Sequence, residues 1–356
     1  MQKKNTIIKI FIAILILSLA FTGCSKEVVY VSDNDFLLDT IVNIKIFHYK
    51  NQKIDEDIIS DSFELIKDYE NMLSIHIEGS DMDRLAKASG REPISVDPFT
   101  IEIIEKSIEY SELSGGLFDI TSGPLIELWA IDPPNGHLPS KAELEDTLPL
   151  IGYKRISLFD NGSVTLEIKG MKANLGAIAK GAITDKVKEF LVENGVSSAI
   201  INTGGNVLLI GNKPDDQLFS IGIQDPNNLR GSYLLALSIS DKAVVSSGDY
   251  ERFFEVDGKI YHHILDPFTG YPADTNIKQV SIIAENSTDA DALSTTVLLM
   301  GLKNGIDLIE STEGVEAVFI TKDDNIYITD GLEGSYTVNE ELMENYSIVE
   351  SKEELF

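Results

Sequence analysis

The sequence predicts an α+β fold with mixed or antiparallel sheets and flanking helices. Segments with helical and with strand-like spacing of apolar residues follow one another without the strict alternation of a doubly wound fold. Asn161-Gly162 and Asp257-Gly258 each stand between two short strand-like segments, and such dipeptides fit the tight turns of antiparallel hairpins. The single cysteine, Cys24, excludes an intrachain disulfide, so stability depends on the hydrophobic core.

The first 23 residues have the layout of a secretory signal. Three lysines precede an apolar run over residues 10–20, and small residues lead to Cys24. The run is short for a spanning helix, which needs roughly 20 apolar residues. The segment resembles a bacterial lipoprotein signal, which implies cleavage before Cys24 and diacylglycerol on its sulfur. The alternative is an ordinary cleaved signal with an incidental cysteine. We expect an exported lipoprotein, lipid-anchored on the outer face of the cell membrane.

The chain is strongly acidic, with 58 Asp and Glu against 29 Lys and Arg and a net charge of −29. Such a surface repels nucleic acid and anionic lipid headgroups, so we expect no nucleic-acid partner. It suits a body held off the membrane by a tether, which we place at residues 24–35. One large domain is predicted over residues 36–338, followed by an acidic, peripheral tail over residues 339–356.

Local patterns justify each element in chain order. Strands are enriched in β-branched and aromatic residues, and helices repeat apolar residues every three or four positions. Residues 129–149 contain four prolines and read as a loop. Strands or hairpins are predicted over residues 36–49, 156–168, 198–210, 220–224, 233–240, 253–265, 280–284, 315–321 and 325–329. Helices are predicted over residues 55–72, 98–114, 174–194, 288–301 and 305–310.

Two glycine pairs interrupt these elements. Residues 115–116 follow a helix, and residues 204–205 interrupt a predicted strand. Paired glycines allow positive φ or the close approach of a ligand. We favour a helix C-cap and turn for the first pair and a β-bulge for the second.

The helix predicted from residue 174 begins with Asn-Leu-Gly-Ala-Ile-Ala-Lys-Gly. Asn174 fits an N-cap. Free N–H groups and a positive helix end, with Lys180 nearby, are typical of a phosphate site. The spacing is not that of a P-loop. Close helix packing with a solvated lysine explains the same residues equally well.

The stretch over residues 244–301 concentrates polar and turn-forming residues. Its first part, Ser246-Ser247-Gly248, reads as a small-residue turn. His263 is opposite in parity to the apolar residues of its strand and is predicted to face a cleft, although a strand histidine is more often structural. Asp291 and Thr295 are spaced i, i+4 on a helix and form a hard-oxygen corner that suits Mg²⁺. An acid that complements the helix dipole is the alternative.

Seven segments together resemble the ApbE family of FAD:protein FMN transferases over about residues 38–301. They are SGGLFDITSGPL, NLGAIAKG, INTGGN, GIQDP, VVSSGDYERFF, YHHILDPFTGYP and DADALSTTVLLMG. The resemblance implies a T-fold-like architecture and a Mg²⁺-dependent cleavage of FAD. FMN passes through a phosphoester bond to a threonine (or serine) hydroxyl of an acceptor protein, and AMP leaves.

The resemblance also implies site residues. Mg²⁺ would be held by the Ala177 carbonyl, Asp291 and Thr295. The residues implied to line the FAD site are Leu38, Leu117, Phe118, Asp119, Asn174, Lys180, Ser247, Gly248, His263 and Leu265. Departures from the family pattern are Leu38-Asp39-Thr40 for Met-Gly-Thr, Ile75 or His76 for an aromatic residue, and Asn174 for Asp.

The roles of the catalytic residues follow from what phosphoryl transfer needs, which is positioning and charge stabilisation. For the proton of the acceptor hydroxyl we favour Asp291 or a water on the metal, and we give His263 the role of stabilising the phosphate. Transfer rather than hydrolysis requires a cleft that a docking loop can enter, walled by Phe118, Tyr250 and residues 262–271.

The predicted partners are FAD, the membrane through the N-terminal lipid, and an acceptor flavoprotein with an exposed threonine motif. The acceptor would be a membrane redox complex subunit or an exported flavoprotein. Two alternatives stay open from the sequence: an FAD pyrophosphatase that yields FMN and AMP, and a non-catalytic flavin-binding lipoprotein.

Overall fold

The computed structural model describes residues 27–131, 136–228 and 231–355, and its architecture is α+β, as predicted. The predicted signal and Cys24 lie outside the described residues. Within the described part of the chain, no helix combines the length and the apolar character needed to span a bilayer.

A nine-stranded sheet forms the centre of the molecule. Its strands are β1 (Val28–Leu37), β2 (Thr40–Tyr49), β6 (Ala199–Thr203), β7 (Asn206–Ile210), β10 (Ala243–Gly248), β13 (Ile277–Ala284), β14 (Glu316–Thr321), β15 (Asn325–Ile328) and β17 (Ser347–Ile348). They are hydrogen-bonded in that order. All neighbours are antiparallel except β15 and β17.

Three smaller sheets surround it. The first contains β3 (Ile94–Ser95), β4 (Ile156–Phe159) and β5 (Ser163–Leu166); the second contains β8 (Phe219–Gln224), β9 (Tyr233–Ile239) and β16 (Tyr336–Val338); the third is the hairpin of β11 (Phe253–Val256) and β12 (Lys259–His262). The helices are α1 (Ile58–Leu73), α2 (Asp81–Ala88), α3 (Pro98–Leu113), α4 (Gly123–Trp129), α5 (Lys141–Thr147), α6 (Ala179–Glu193), α7 (Ser287–Met300) and α8 (Leu302–Ser311).

The central sheet buries both of its faces. Side chains alternate across a strand, so Leu208 of β7 packs in the core beneath the helices, while Leu209 packs in the opposite core against β8 and β9. Asn206 lies two residues before Leu208 on β7, so its side chain points to the same, helix-facing side of the sheet. This layering places β6, β7, β10 and β13 under α6 and α7.

The first predicted strand is wrong in extent, because residues 28–49 form a hairpin. β1 pairs with β2 along its whole length, from Val28 opposite Tyr49 to Leu37 opposite Thr40. The turn is Leu38-Asp39, both at positive φ (54° and 56°). Leucine rarely adopts this conformation, so the sequence carries no turn signal here. Most of the segment predicted to be a tether is therefore β1.

Three other predictions for strands and loops need correction. Residues 204–205 are the two-residue turn between β6 and β7, not a bulge, and both glycines have positive φ. Ser246-Ser247-Gly248 is part of β10, not a turn. Residues 129–149 include α5, whose capping box joins Ser140 and Glu143.

The C-terminal segment is not the peripheral tail that its acidity predicts. β17 pairs with β15, and the buried Tyr346 donates its hydroxyl to the Asp225 carboxylate at 2.6 Å. Tyr346 holds this acidic segment against the fold, because its ring buries a large apolar area while its hydroxyl stays hydrogen-bonded.

Candidate active site

Helices α6 and α7 approach each other unusually closely, and Gly181 makes this possible. A Cβ at residue 181 would lie 2.8 Å from the Cβ of Asp291 and would collide with the Ser287 carbonyl oxygen. Both obstacles belong to α7, and only one of them is a side chain. Any larger residue would therefore push the two helices apart.

Each of the two helices also carries a carboxylate that accepts free N–H groups at the start of the other helix. Asp185 of α6 accepts the N–H groups of Ser287 and Thr288, each at 2.8 Å, at the start of α7. In return, Asp291 Oδ2 accepts the N–H of Gly181 at 2.9 Å, in the first turn of α6. First-turn amides have no acceptor within their own helix, so each carboxylate satisfies the other helix. Burial raises the pKa of Asp185, although its hydrogen bonds to residues 287–288 oppose the shift.

Three oxygen atoms at this junction remain available. The Ala177 carbonyl, four residues before Gly181, accepts no hydrogen bond from the described residues. The second oxygen of Asp291 and the half-buried Thr295 hydroxyl likewise have no partner in the described part of the chain. A carbonyl, a carboxylate and a hydroxyl are hard ligands of the kind that Mg²⁺ prefers. The residues present fit the predicted metal.

No group of three His, Cys, Asp or Glu side chains that could hold a metal ion occurs among the described residues. The candidate set is of a different kind, because it combines one carboxylate with a backbone carbonyl and a hydroxyl. Asp289, which is close in sequence, is not part of the set. It binds Lys106 at 3.0 Å and the Tyr110 hydroxyl at 2.6 Å and so ties α7 to α3.

Two serine hydroxyl groups connect the backbone at Asp291, a candidate metal ligand, to the central sheet. Ser294 donates to the Asp291 carbonyl at 2.8 Å, so Ser247 must be the donor in its 2.7 Å contact with Ser294. Ser247, predicted to approach the flavin, is therefore engaged with α7. Nearby on the helix-facing side of β7, the Asn206 side-chain amide nitrogen is buried without a partner among the described residues. Buried donors without partners are rare, which marks this layer as a place where a ligand can bind.

Lys180 occupies the start of α6 as predicted, but Asn174 does not cap that helix. Asn174 lies five residues before α6 begins, and its side chain accepts the N–H of Gly176 at 2.8 Å. A local Asx turn competes with helix formation at this residue. The N–H of Lys180 has no acceptor among the described residues. The helix start thus offers a free amide and a cationic side chain together.

The two histidines have separate environments. His262 is buried, donates from Nε2 to the Ala273 carbonyl at 3.0 Å and accepts the N–H of Ile264 at Nδ1. Both nitrogens are used, and burial lowers its pKa, so His262 is neutral and shapes the following loop.

His263 contacts the backbone of Arg252 instead. A carbonyl oxygen can only accept, so the 3.3 Å contact of Nδ1 with the Arg252 carbonyl places the proton on Nδ1. Burial, together with the positive charges of Arg252 and Lys180, lowers the pKa of His263 to about 4. His263 is therefore neutral at pH 7, with Nε2 as its free lone pair.

The segment after α3 is more structural than the sequence indicates. Residues 115–116 form the predicted C-cap turn. Asp119 accepts the Thr121 hydroxyl at 2.6 Å and the Tyr153 N–H at 2.8 Å, and burial raises its pKa despite these bonds. The Phe118 ring is 2% exposed and packs in the core beside Tyr110, so it does not form the predicted cleft wall.

The remaining residues predicted to line the FAD site lie in four separate environments. Leu38 sits in the β1–β2 turn, and its N–H donates to Glu70 at 3.0 Å. Leu265 is buried in a cluster with Trp129. Gly248 is buried where a Cβ would collide with the Tyr250 ring. Leu117 is half-buried after the Gly116 turn.

A cleft of about 920 Å³ opens at the β11–β12 hairpin. Tyr250 and part of the loop predicted over residues 262–271 line it, together with Pro272 and Ala273. No local sequence pattern indicated its other wall, which includes Lys278 and Lys322. The sequence also did not indicate roles for Gly181 and Asp185. Their partners lie 110 and 102 residues away and leave no local pattern.

Comparisons with known proteins identify the family of this chain. Residues 38–319 match the sequence model of the ApbE family. The FAD:protein FMN transferase of Treponema pallidum is 32% identical over 312 residues, covering 84% of this chain and 86% of the relative. The FAD:protein FMN transferase of Klebsiella pneumoniae is 35% identical over 276 residues, covering 77% and 85%.

Solved structures show the same likeness. The crystal structure of the ApbE protein of Thermotoga maritima superposes with a TM-score of 0.79 at 33% identity, covering 86% of this chain and 99% of that protein. The flavin transferase ApbE of Vibrio cholerae gives a TM-score of 0.76 at 25% identity, covering 87% and 99%.

Proposed function

This chain belongs to the ApbE family and is an FAD:protein FMN transferase, and we propose that it transfers FMN to a threonine or serine hydroxyl with Mg²⁺ and releases AMP. The acceptor oxygen forms a bond to the FMN phosphorus, and the bond from that phosphorus to the bridging oxygen breaks. AMP leaves with the bond's electron pair. One observation carries the proposal: three uncommitted oxygens, from Ala177, Asp291 and Thr295, lie beside Lys180 at the start of α6.

Each residue has a role that its environment supports. Ala177, Asp291 and Thr295 would hold Mg²⁺, which when bound supplies positive charge to the pyrophosphate. Lys180 and the free amide at the start of α6 bind phosphate oxygens. The whole chain has a net charge of −29, which would repel an anionic substrate. These two groups provide local positive charge that offsets this repulsion.

His263 Nε2 is able to accept the proton of the acceptor hydroxyl. Its pKa of about 4 is low for a base at pH 7. A pyrophosphate next to the ring would raise that pKa, because a nearby negative charge favours the protonated form. His263 is therefore a candidate proton acceptor beside Asp291, and its protonated form would stabilise the phosphate.

Transfer is tested with the purified mature chain, FAD, Mg²⁺ and a panel of exported domains that carry an exposed threonine. We expect one of them to gain the mass of one FMN, with an equal amount of AMP released. Mass spectrometry of the domain and an AMP assay measure both products. Substituting valine for the modified threonine is the control and should abolish the mass gain. Rapid formation of AMP and free FMN with every domain unmodified would instead support a pyrophosphatase.

We also propose that the enzyme is an exported lipoprotein anchored through Cys24. β1 begins at Val28, four residues after Cys24, so the fold would lie within about 14 Å of the anchored residue. Cys24→Ser should leave the precursor uncleaved by the lipoprotein peptidase and without lipid. Mass spectrometry of the N-terminus and detergent partitioning measure both effects. A Cys24→Ser protein that matures normally and stays with membranes would refute the anchor.

A further inference from the structure

The crossing of α6 and α7 is built from two matching pairs of residues, each pair spaced about one helical turn apart. On α6 the pair is Gly181 and Asp185, and on α7 it is Ser287 and Asp291. The Asp291 carboxylate accepts the Gly181 N–H at 2.9 Å. The Asp185 carboxylate accepts the Ser287 N–H at 2.8 Å. Each helix therefore uses one acid to hold the first turn of the other helix.

The two carboxylates differ in how many of their oxygens are occupied. Asp185 accepts the N–H groups of Ser287 and Thr288 and also the Thr288 hydroxyl, so both of its oxygens carry hydrogen bonds. Asp291 accepts the Gly181 N–H through Oδ2, and its other oxygen has no partner within the described part of the chain. Hydrogen bonds on both oxygens fix a carboxylate in place and leave it little capacity for a metal ion. Asp185 is therefore suited to hold α7, whereas Asp291 keeps an oxygen for a ligand.

The contact of Gly181 with Asp291 also accounts for the free carbonyl of Ala177. In a continuous α-helix the N–H of residue 181 would donate to the carbonyl of residue 177. Here that N–H donates to Asp291 instead, so it joins the start of α6 to a candidate metal ligand on α7. A shift of α7 along α6 would move the Asp291 and Thr295 oxygens relative to Ala177, which precedes α6. The alignment of the two helices thus decides whether these three oxygens can bind one ion.

Resting on the proposed function, we propose that Asp185 is a positioning residue for the metal site. By holding the first turn of α7, it sets where Asp291 and Thr295 stand relative to the Ala177 carbonyl. Asp185 itself touches neither the ion nor the substrate. Replacing a residue that orients metal ligands typically lowers metal affinity by about 10–100-fold, because the ligands lose their alignment. Loss of Asp185 should therefore weaken Mg²⁺ binding more than it slows transfer at saturating Mg²⁺.

Asp185→Asn tests the proposal, because the amide replaces one acceptor oxygen by an NH₂ group that cannot accept a hydrogen bond. Calorimetry of the purified mature chain should show about tenfold weaker Mg²⁺ binding than in the unmodified chain. Asp291→Asn supplies the background from ions on the acidic surface. AMP release should approach the unmodified kcat once the Mg²⁺ concentration is raised by the same factor. Thr288→Val removes one of the three donors and should weaken Mg²⁺ binding by a smaller factor, which keeps the test decisive if Asp185→Asn does not fold.

Asp289→Asn is the matched control, because Asp289 also ties α7 to a neighbouring helix, through the Tyr110 hydroxyl at 2.6 Å. It should lower the temperature of unfolding without weakening Mg²⁺ binding. A purely structural Asp185 would behave in the same way, so unchanged Mg²⁺ affinity in Asp185→Asn and Thr288→Val would overturn the positioning role alone. Equal weakening in Asp289→Asn would also overturn it. If the unmodified chain binds Mg²⁺ no better than Asp291→Asn does, the proposed metal site fails as well.

Discussion

Asp291→Ala is expected to abolish Mg²⁺-dependent transfer, with a loss of about 10³-fold or more in kcat. Asp291 would supply the only carboxylate among the three candidate ligand oxygens, so its removal takes away the charge that attracts the cation. AMP release as a function of Mg²⁺ concentration measures activity, and calorimetry of Mg²⁺ binding measures the metal site directly.

The same substitution also affects the fold, and a matched pair of variants separates the two effects. Asp291→Ala leaves the Gly181 N–H without its acceptor, which costs about 1–3 kcal/mol in the free energy of unfolding. Asp291→Asn keeps an oxygen for that N–H and should be more stable than the alanine variant, yet equally inactive. Asp289→Asn is the neighbouring control, because Asp289 binds Lys106 and should leave the Mg²⁺ response unchanged. Turnover of Asp291→Asn that persists in EDTA would refute the metal site.

Lys180→Met is expected to reduce kcat/KM by about 10²–10³-fold while the protein remains folded. The side chain supplies a full positive charge at a helix start, and methionine keeps its approximate length without the charge. Single-turnover AMP release at several FAD concentrations measures the loss. Lys186→Met, on the same helix but paired with Glu189, is the control and should retain most activity.

A second signal accompanies this substitution. The charge of Lys180 is one of the causes that lower the pKa of His263, so its removal should raise that pKa towards its usual value. An NMR titration of the His263 ring measures the shift independently of turnover. An unchanged His263 pKa together with unchanged kcat/KM would show that Lys180 does not act in the site.

The sequence predicted those elements whose signals are local. The helix at Pro98–Leu113 follows from apolar spacing and ends at the Gly115-Gly116 turn. The hairpin of β4 and β5 follows from Asn161-Gly162. Where the local signal was absent, the prediction failed. The Leu38-Asp39 turn has no glycine or proline at the turn itself, and it is held in place by pairing along β1 and β2 and by Glu70.

At residues 174–178 the sequence predicted helix where the structure has none. Residues 174–178 have helix-forming neighbours, and yet α6 begins at Ala179. Asn174 turns its side chain to Gly176, and the Asn174 N–H donates to the Ile120 carbonyl at 2.7 Å. A tertiary contact thus overrode local propensity. The result is the non-helical segment that leaves the Ala177 carbonyl available.

The sequence alone determined the α+β class, the family resemblance and the pairing of Asp291 with Thr295, because each depends on neighbours within one element or on the order of short motifs. Only the tertiary structure decided that Gly181 donates to Asp291, 110 positions along the chain, and that Lys278 and the β11–β12 hairpin share a cleft. The physical reason is that residue periodicity records which face of an element is buried. It does not record which distant backbone group that face meets, and at this site the distant backbone groups position the oxygens.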